Sequence, residues 1–154
     1  SKQYLLGRLD ILMGGRSAEK IIFNDITTGV GNDIAVATDI AKKMVCEWGM
    51  SDKIGPLTFG SKDEQVFLGK EISKPKDFSE QKSTIIDSEI SSIVQNAENN
   101  ALSILRDKIE HLHDVASVLI NKETITGTEM ADIIKNGIPE IQQNNPKTKR
   151  RTTS

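Results

Sequence analysis

The sequence predicts an all-α fold, a bundle of about five helices with an irregular or short-strand insertion near residues 51–76. Three observations carry that reading. Apolar residues recur at steps of three and four over long segments, which places them on single helical faces. Only four prolines and 4% aromatic residues occur in 154, so the core must be built from Ile, Leu, Val, Ala and Met. No alternation of strand and helix patterns and no internal repeat runs through the chain.

The first helix is expected over about Lys2 to Phe23, with Leu5, Leu6, Leu9, Leu12 and Met13 as its apolar stripe. Gly14-Gly15 interrupts the pattern at about 1 kcal/mol per glycine relative to alanine, which points to a bend or to close approach by another backbone. The second helix is expected from Asp33 to Trp48, stopping at Gly49 in a left-handed turn. Its stripe is Ile34, Ala37, Ala41, Met44 and Trp48, with Cys46 read as a small buried hydrophobe. Ser51 to Lys76 reads as extended and irregular, and Leu57-Thr58-Phe59 and Val66-Phe67-Leu68 suit brief strands or loop anchors.

The third and longest helix is expected over Ser79 to Lys108, capped by Asp77 or Ser79, with Ile86, Ile90, Ile93, Ala97, Ala101 and Ile104 on one face. A fourth covers about Glu110 to Asn121. A fifth opens on the capping box Thr126-Gly127-Thr128-Glu129 and closes at Asn136-Gly137, before Pro139.

Composition excludes several function classes. Residues 1–144 carry 16 basic against 22 acidic side chains, which argues against a nucleic-acid-binding surface. The remaining segment holds Lys147, Lys149, Arg150 and Arg151 with no acidic residue, so 139–154 is expected to be a disordered, solvated basic tail. One cysteine permits no intrachain disulfide, and no apolar run reaches the length of a membrane span. His111 and His113 lie two apart on a helix, about 200° around its axis, so they cannot chelate one metal together. The glycines of Gly29-Val30-Gly31 lack the Gly-Lys-Ser/Thr of a phosphate-binding loop.

Thr27-Thr28-Gly29-Val30-Gly31-Asn32-Asp33 is the most informative stretch. Asp33 falls in the first turn of a helix, where free N–H groups and the helix dipole hold a carboxylate ionised and fixed in direction. Such a carboxylate suits a metal site and equally suits an ordinary helix cap.

Tyr4-Leu5-Leu6-Gly7-Arg8-Leu9, Gly14-Gly15-Arg16-Ser17-Ala18-Glu19, Thr27-Thr28-Gly29 and Asn32-Asp33 closely resemble the peptidase domain of the FtsH family. These are membrane-anchored, ATP-dependent zinc metalloproteases. The resemblance continues through Trp48-Gly49-Met50-Ser51, Gly55-Pro56-Leu57 and Val66-Phe67-Leu68-Gly69, and more loosely to Glu123-Thr124-Ile125. It implies that Asp33 is the third zinc ligand beside the two histidines of an H-E-x-x-H helix. It also implies that Glu19 supports the metal site from behind, through a histidine ligand. Two histidines and a carboxylate leave the fourth zinc position open, as a hydrolytic site requires.

H-E-x-x-H itself is absent from the sequence. In the family it lies N-terminal to the region matching Ser1 onward, as do the ATPase and the membrane helices. The chain, which does not begin with methionine, therefore looks like the C-terminal part of the peptidase domain, over residues 1–138. Alone it is expected to be soluble and inactive, with the general-base glutamate upstream and ATP and magnesium bound by the ATPase. The resemblance further implies protein substrates, a homohexamer, and the cytoplasmic face of a bacterial inner membrane or an organelle equivalent. The alternative is a non-catalytic interaction or oligomerisation module that keeps the fold without the chemistry.

Overall fold

A computed structural model of the chain describes residues 1–59 and 80–138. Among these, five α-helices follow in order: α1 (Lys2–Phe23), α2 (Gly31–Cys46), α3 (Glu80–Asp107), α4 (Ile109–Lys122) and α5 (Gly127–Asn136), with a 3₁₀ turn at Thr28–Val30. The expected all-α architecture is what the chain adopts. Two compact units divide it, Ser1–Ser103 and Ile104–Ser154.

In the first unit, α1 begins where the Ser1 hydroxyl accepts from the Tyr4 N–H, and it ends at Asn24 in a left-handed conformation (φ 51°). Gly14-Gly15 does not interrupt it. The close approach at Gly15 comes from a side chain rather than a backbone, since a Cβ there would lie 3.9 Å from Val30 Cγ1. After the turn, α2 runs back along α1. Glu19 meets Thr27 at one end of the pair, and Lys2 meets Asp52 at the other.

Leu9 and Met13 of α1, Ala37, Ile40 and Met44 of α2, and Ala97 and Ala101 of α3 form one buried cluster. Leu9 and Met44 have no exposed surface, so truncating either to alanine costs about 2–5 kcal/mol. Val45, Cys46 and Ile86 form a second cluster, with Phe59 and Ile90 packed against it. Cys46 is the buried hydrophobe expected of it, and burial pushes its thiol pKa up.

Helix α2 is shifted from its expected span. It starts two residues earlier and stops at Cys46, so Trp48 no longer follows helical spacing and stands 45% exposed, off the apolar face. Gly49 does take the left-handed conformation (φ 59°). No strand forms over 51–59. Phe59 instead anchors the loop, its N–H donating to the Cys46 carbonyl at 2.7 Å while Lys82 lies over its ring. The expected burst at Val66–Leu68, the caps Asp77 and Ser79 and the tail 139–154 lie outside the described residues.

Three polar contacts fix α3 against α1. Glu98 receives Arg16 at 2.9 Å and Lys20 at 3.7 Å, and Asn100 donates to Asp10 at 3.4 Å. Further along, Glu89 accepts from the buried Ser51 hydroxyl at 2.7 Å and pairs with Lys53 at 2.6 Å. The Lys53 contact, and then the Ser51 one, hold the Glu89 carboxyl below the usual glutamate range.

In the second unit, α4 packs on α5, with Val118 and Ile133 buried. The expected capping box is formed in full: Thr126 Oγ1 accepts from the Glu129 N–H and Glu129 accepts from the Thr126 N–H. Ile104, expected on the buried stripe of α3, is exposed and lines an apolar groove with Leu112 and Met130.

Candidate metal centre

The turn between α1 and α2 is built from Thr27. Its extended backbone (φ −95°, ψ 167°) lets its hydroxyl accept from the Gly29 N–H at 3.3 Å and cap the 3₁₀ turn. The same residue is gripped from α1. Its N–H donates to Glu19 Oε2 and its hydroxyl to Glu19 Oε1, each at 2.9 Å. Val30 then buries its side chain, and a Cβ built at Gly15 of α1 would lie 3.9 Å from its Cγ1. Glutamate and turn are thus locked together, and the direction in which α2 departs is set by that lock.

Asp33 is the third residue of α2 and half-buried. The cap reading of this residue is not realised. Val30 holds the N-cap position without a side-chain bond, because the 3₁₀ turn runs straight into the helix and supplies the first turn from its own backbone. The Asp33 carboxylate consequently has no hydrogen-bond or ion-pair partner among the described residues. A half-buried anion at a helix N-terminus, unspent on any neighbour, fits the donor that a zinc ion takes from a protein. It is one donor. Among the described residues no three His, Cys, Asp or Glu side chains come together to hold a metal.

Glu19 is close to the turn that carries Asp33, and both of its oxygens are already engaged by Thr27. Each carboxylate oxygen still keeps a second lone pair, so an imidazole N–H can be accepted as well. His111 and His113 both lie on α4, in the second unit.

A groove of about 500 Å³ opens among α1, α2 and α3, lined by Met13, Ile34, Thr38, Ile90 and Val94 together with the Arg16–Glu98 pair. Ile34 directly follows Asp33, and Arg16 stands one turn before Glu19. Sequence reasoning missed Thr27 as the partner of Glu19, although its hydroxyl stood in the motif. It also missed the pairing of Arg16 with Glu98, which are 82 residues apart and follow no local pattern.

The model of peptidase family M41 matches residues 1–133. Similar proteins include an ATP-dependent zinc metalloprotease FtsH from Nitrosococcus oceani, 46% identical over 143 residues, covering 93% of this chain and 22% of that protein. One of the same name from Acidobacterium capsulatum is 47% identical over 135 residues (88% and 21%). Another, from Thermotoga maritima, is 41% identical over 141 residues (92% and 23%). The chain spans about a fifth of the length of these curated relatives.

Proposed function

The chain belongs to peptidase family M41, and from that premise we propose that it forms the C-terminal part of the peptidase domain of an ATP-dependent zinc metalloendopeptidase. Asp33 is the carboxylate ligand of the zinc, and Glu19 is a positioning residue behind it. The observation that carries this reading is the free carboxylate of Asp33 on the first turn of α2, rooted in a turn that Glu19 locks. Glu19 holds Thr27 and offers its remaining lone pairs to a histidine ligand, which would fix the tautomer and tilt of that ring. When bound, zinc supplies Lewis-acid polarisation of a peptide carbonyl and of water.

Residues 1–138 serve the peptidase domain. In the whole protein, ATP and magnesium drive an unfolding ATPase, and the assembly is a membrane-anchored homohexamer that degrades membrane and unfolded proteins. Its peptidase faces the cytoplasm at a bacterial inner membrane. No helix among the described residues is long and apolar enough to cross a membrane, so the anchor belongs to another part of the polypeptide.

The test is Asp33→Asn in the full-length protein. The amide keeps the size of the side chain and loses its charge. Casein hydrolysis and bound zinc should both disappear while ATP hydrolysis continues at its ordinary rate. Undiminished proteolysis with a full complement of zinc would sink the assignment.

A further inference from the structure

The Thr27 hydroxyl is engaged on both sides, and that gives it a single direction. Its Oγ1 accepts from the Gly29 N–H at 3.3 Å and donates to Glu19 Oε1 at 2.9 Å. A hydroxyl has one proton to give, so with Gly29 on a lone pair that proton is committed to the glutamate. The backbone N–H of Thr27 takes the other oxygen, Oε2, also at 2.9 Å. Either bond alone leaves the carboxylate able to swing about its last torsion, which is soft in glutamate. Two bonds from one residue, one to each oxygen, hold the plane of the group. Threonine suits this task, because its branched Cβ restricts χ1 and ties the hydroxyl to the backbone that places the N–H. Linked donors also polarise one another, and the relay from Gly29 through Thr27 to Glu19 lies in the turn that leads into α2.

From this we propose that Thr27 is a positioning residue of the zinc site, acting through Glu19. Its hydroxyl sets the plane of the Glu19 carboxylate, and with it the direction of the lone pairs left for a histidine ligand. The inference rests on the reading of Glu19 as the support of that ligand, and adds the group that aims it. Thr28, the next residue, carries the same side chain and makes no side-chain hydrogen bond among the described residues. A threonine that only capped the 3₁₀ turn would need the Gly29 contact and not the bond to Glu19.

Zinc affinity of the full-length protein, measured by competition with a chromophoric chelator, tests this, with ATP hydrolysis as the check on folding and assembly. Thr27→Val keeps the shape and the branching and loses the hydroxyl, so zinc affinity should fall about tenfold. Thr27→Ser should restore most of the loss, and Thr28→Val should bind zinc as the parent does. In a Glu19→Ala background Thr27→Val should cost nothing further, because its route to the metal is gone. A second, full loss in that background would assign Thr27 to the cap on Gly29 and overturn the inference. So would a serine variant as weak as the valine one, or parental affinity in Thr27→Val beside a weakened Glu19→Ala. Unchanged affinity in Glu19→Ala itself would remove the reading of Glu19, and the role of Thr27 with it. Asp33→Asn answers separately. Zinc kept in that variant but weakened in Thr27→Val retains the clamp and discards the Asp33 ligand.

Discussion

Glu19 holds Thr27 with both carboxylate oxygens, one on the backbone N–H and one on the hydroxyl, at 2.9 Å each. The bond spans eight residues and closes the connection from α1 to α2, so the glutamate is a structural part of the turn whatever it does for a metal. Glu19→Ala should lower the stability of the chain by about 1–2 kcal/mol, since hydrogen bonds to a charged group are worth about 1.5–3 kcal/mol and these are partly exposed. Glu19→Gln keeps one acceptor and should recover about half. Urea unfolding of the three chains measures this, and identical midpoints would mean that the clamp carries no weight.

Gly49 combines a left-handed backbone with a crowded site. A Cβ there would stand 2.9 Å from Pro56 Cα, an atom fixed in the backbone. Gly49→Ala should cost about 2–4 kcal/mol, the sum of the conformational penalty and the overlap. Gly55 is also left-handed (φ 82°) but faces open space, so Gly55→Ala should cost only about 1–2 kcal/mol. Equal losses in the two variants would show that Pro56 yields.

Ser17 is fully buried, and its hydroxyl finds no partner among the described residues. Ser17→Ala removes an unsatisfied polar atom and improves helix propensity, so it should stabilise the chain by about 0.5–2 kcal/mol. For a chain of this size the thermal midpoint rises by about 2–6 °C. A fall in the midpoint would contradict the reading of Ser17 as an orphan.

Lys53 first, and then Ser51, hold the Glu89 carboxyl below its ordinary value of 4.5. The unfolded chain therefore takes up this proton before the folded one does. The contribution is fully present above the ordinary glutamate range and is lost as pH falls through the depressed folded value. Glu89→Gln should accordingly be less stable than the parent at pH 7, with the gap closing below about pH 4.5. Urea midpoints between pH 7 and pH 3 follow this directly, and a gap that stays constant would remove Glu89 from the acid response.

What could be read from the sequence was whatever local chemistry decides. The Thr126/Glu129 capping box and the left-handed stop at Gly49 are short-range devices, and both are present as expected. The span of α1 was also legible, because its apolar stripe outweighs the propensity cost of Gly14 and Gly15. Failures came where a neighbouring element intervened. Trp48 fell off the α2 stripe because the helix ends at Cys46, and Asp33 was no cap because a 3₁₀ turn had already begun the helix. The partners of Glu89 and Glu98 come from 36 to 82 residues away, and no periodicity encodes them. As for the centre itself, the motif pointed to Asp33 and Glu19. That one carboxylate is free and the other doubly engaged emerges only in three dimensions.

The eight-residue closure made by Glu19 and Thr27 also bears on the order of assembly. Loop-closure entropy grows with the length of chain enclosed, so this contact can form long before Glu98 reaches Arg16 across 82 residues. Contacts between near neighbours in sequence form fastest. The α1–α2 hairpin can therefore close before α3 docks on it, and the turn bearing Asp33 is shaped within it. The carboxylate is aimed by its own hairpin, ahead of the helix that completes the core around it.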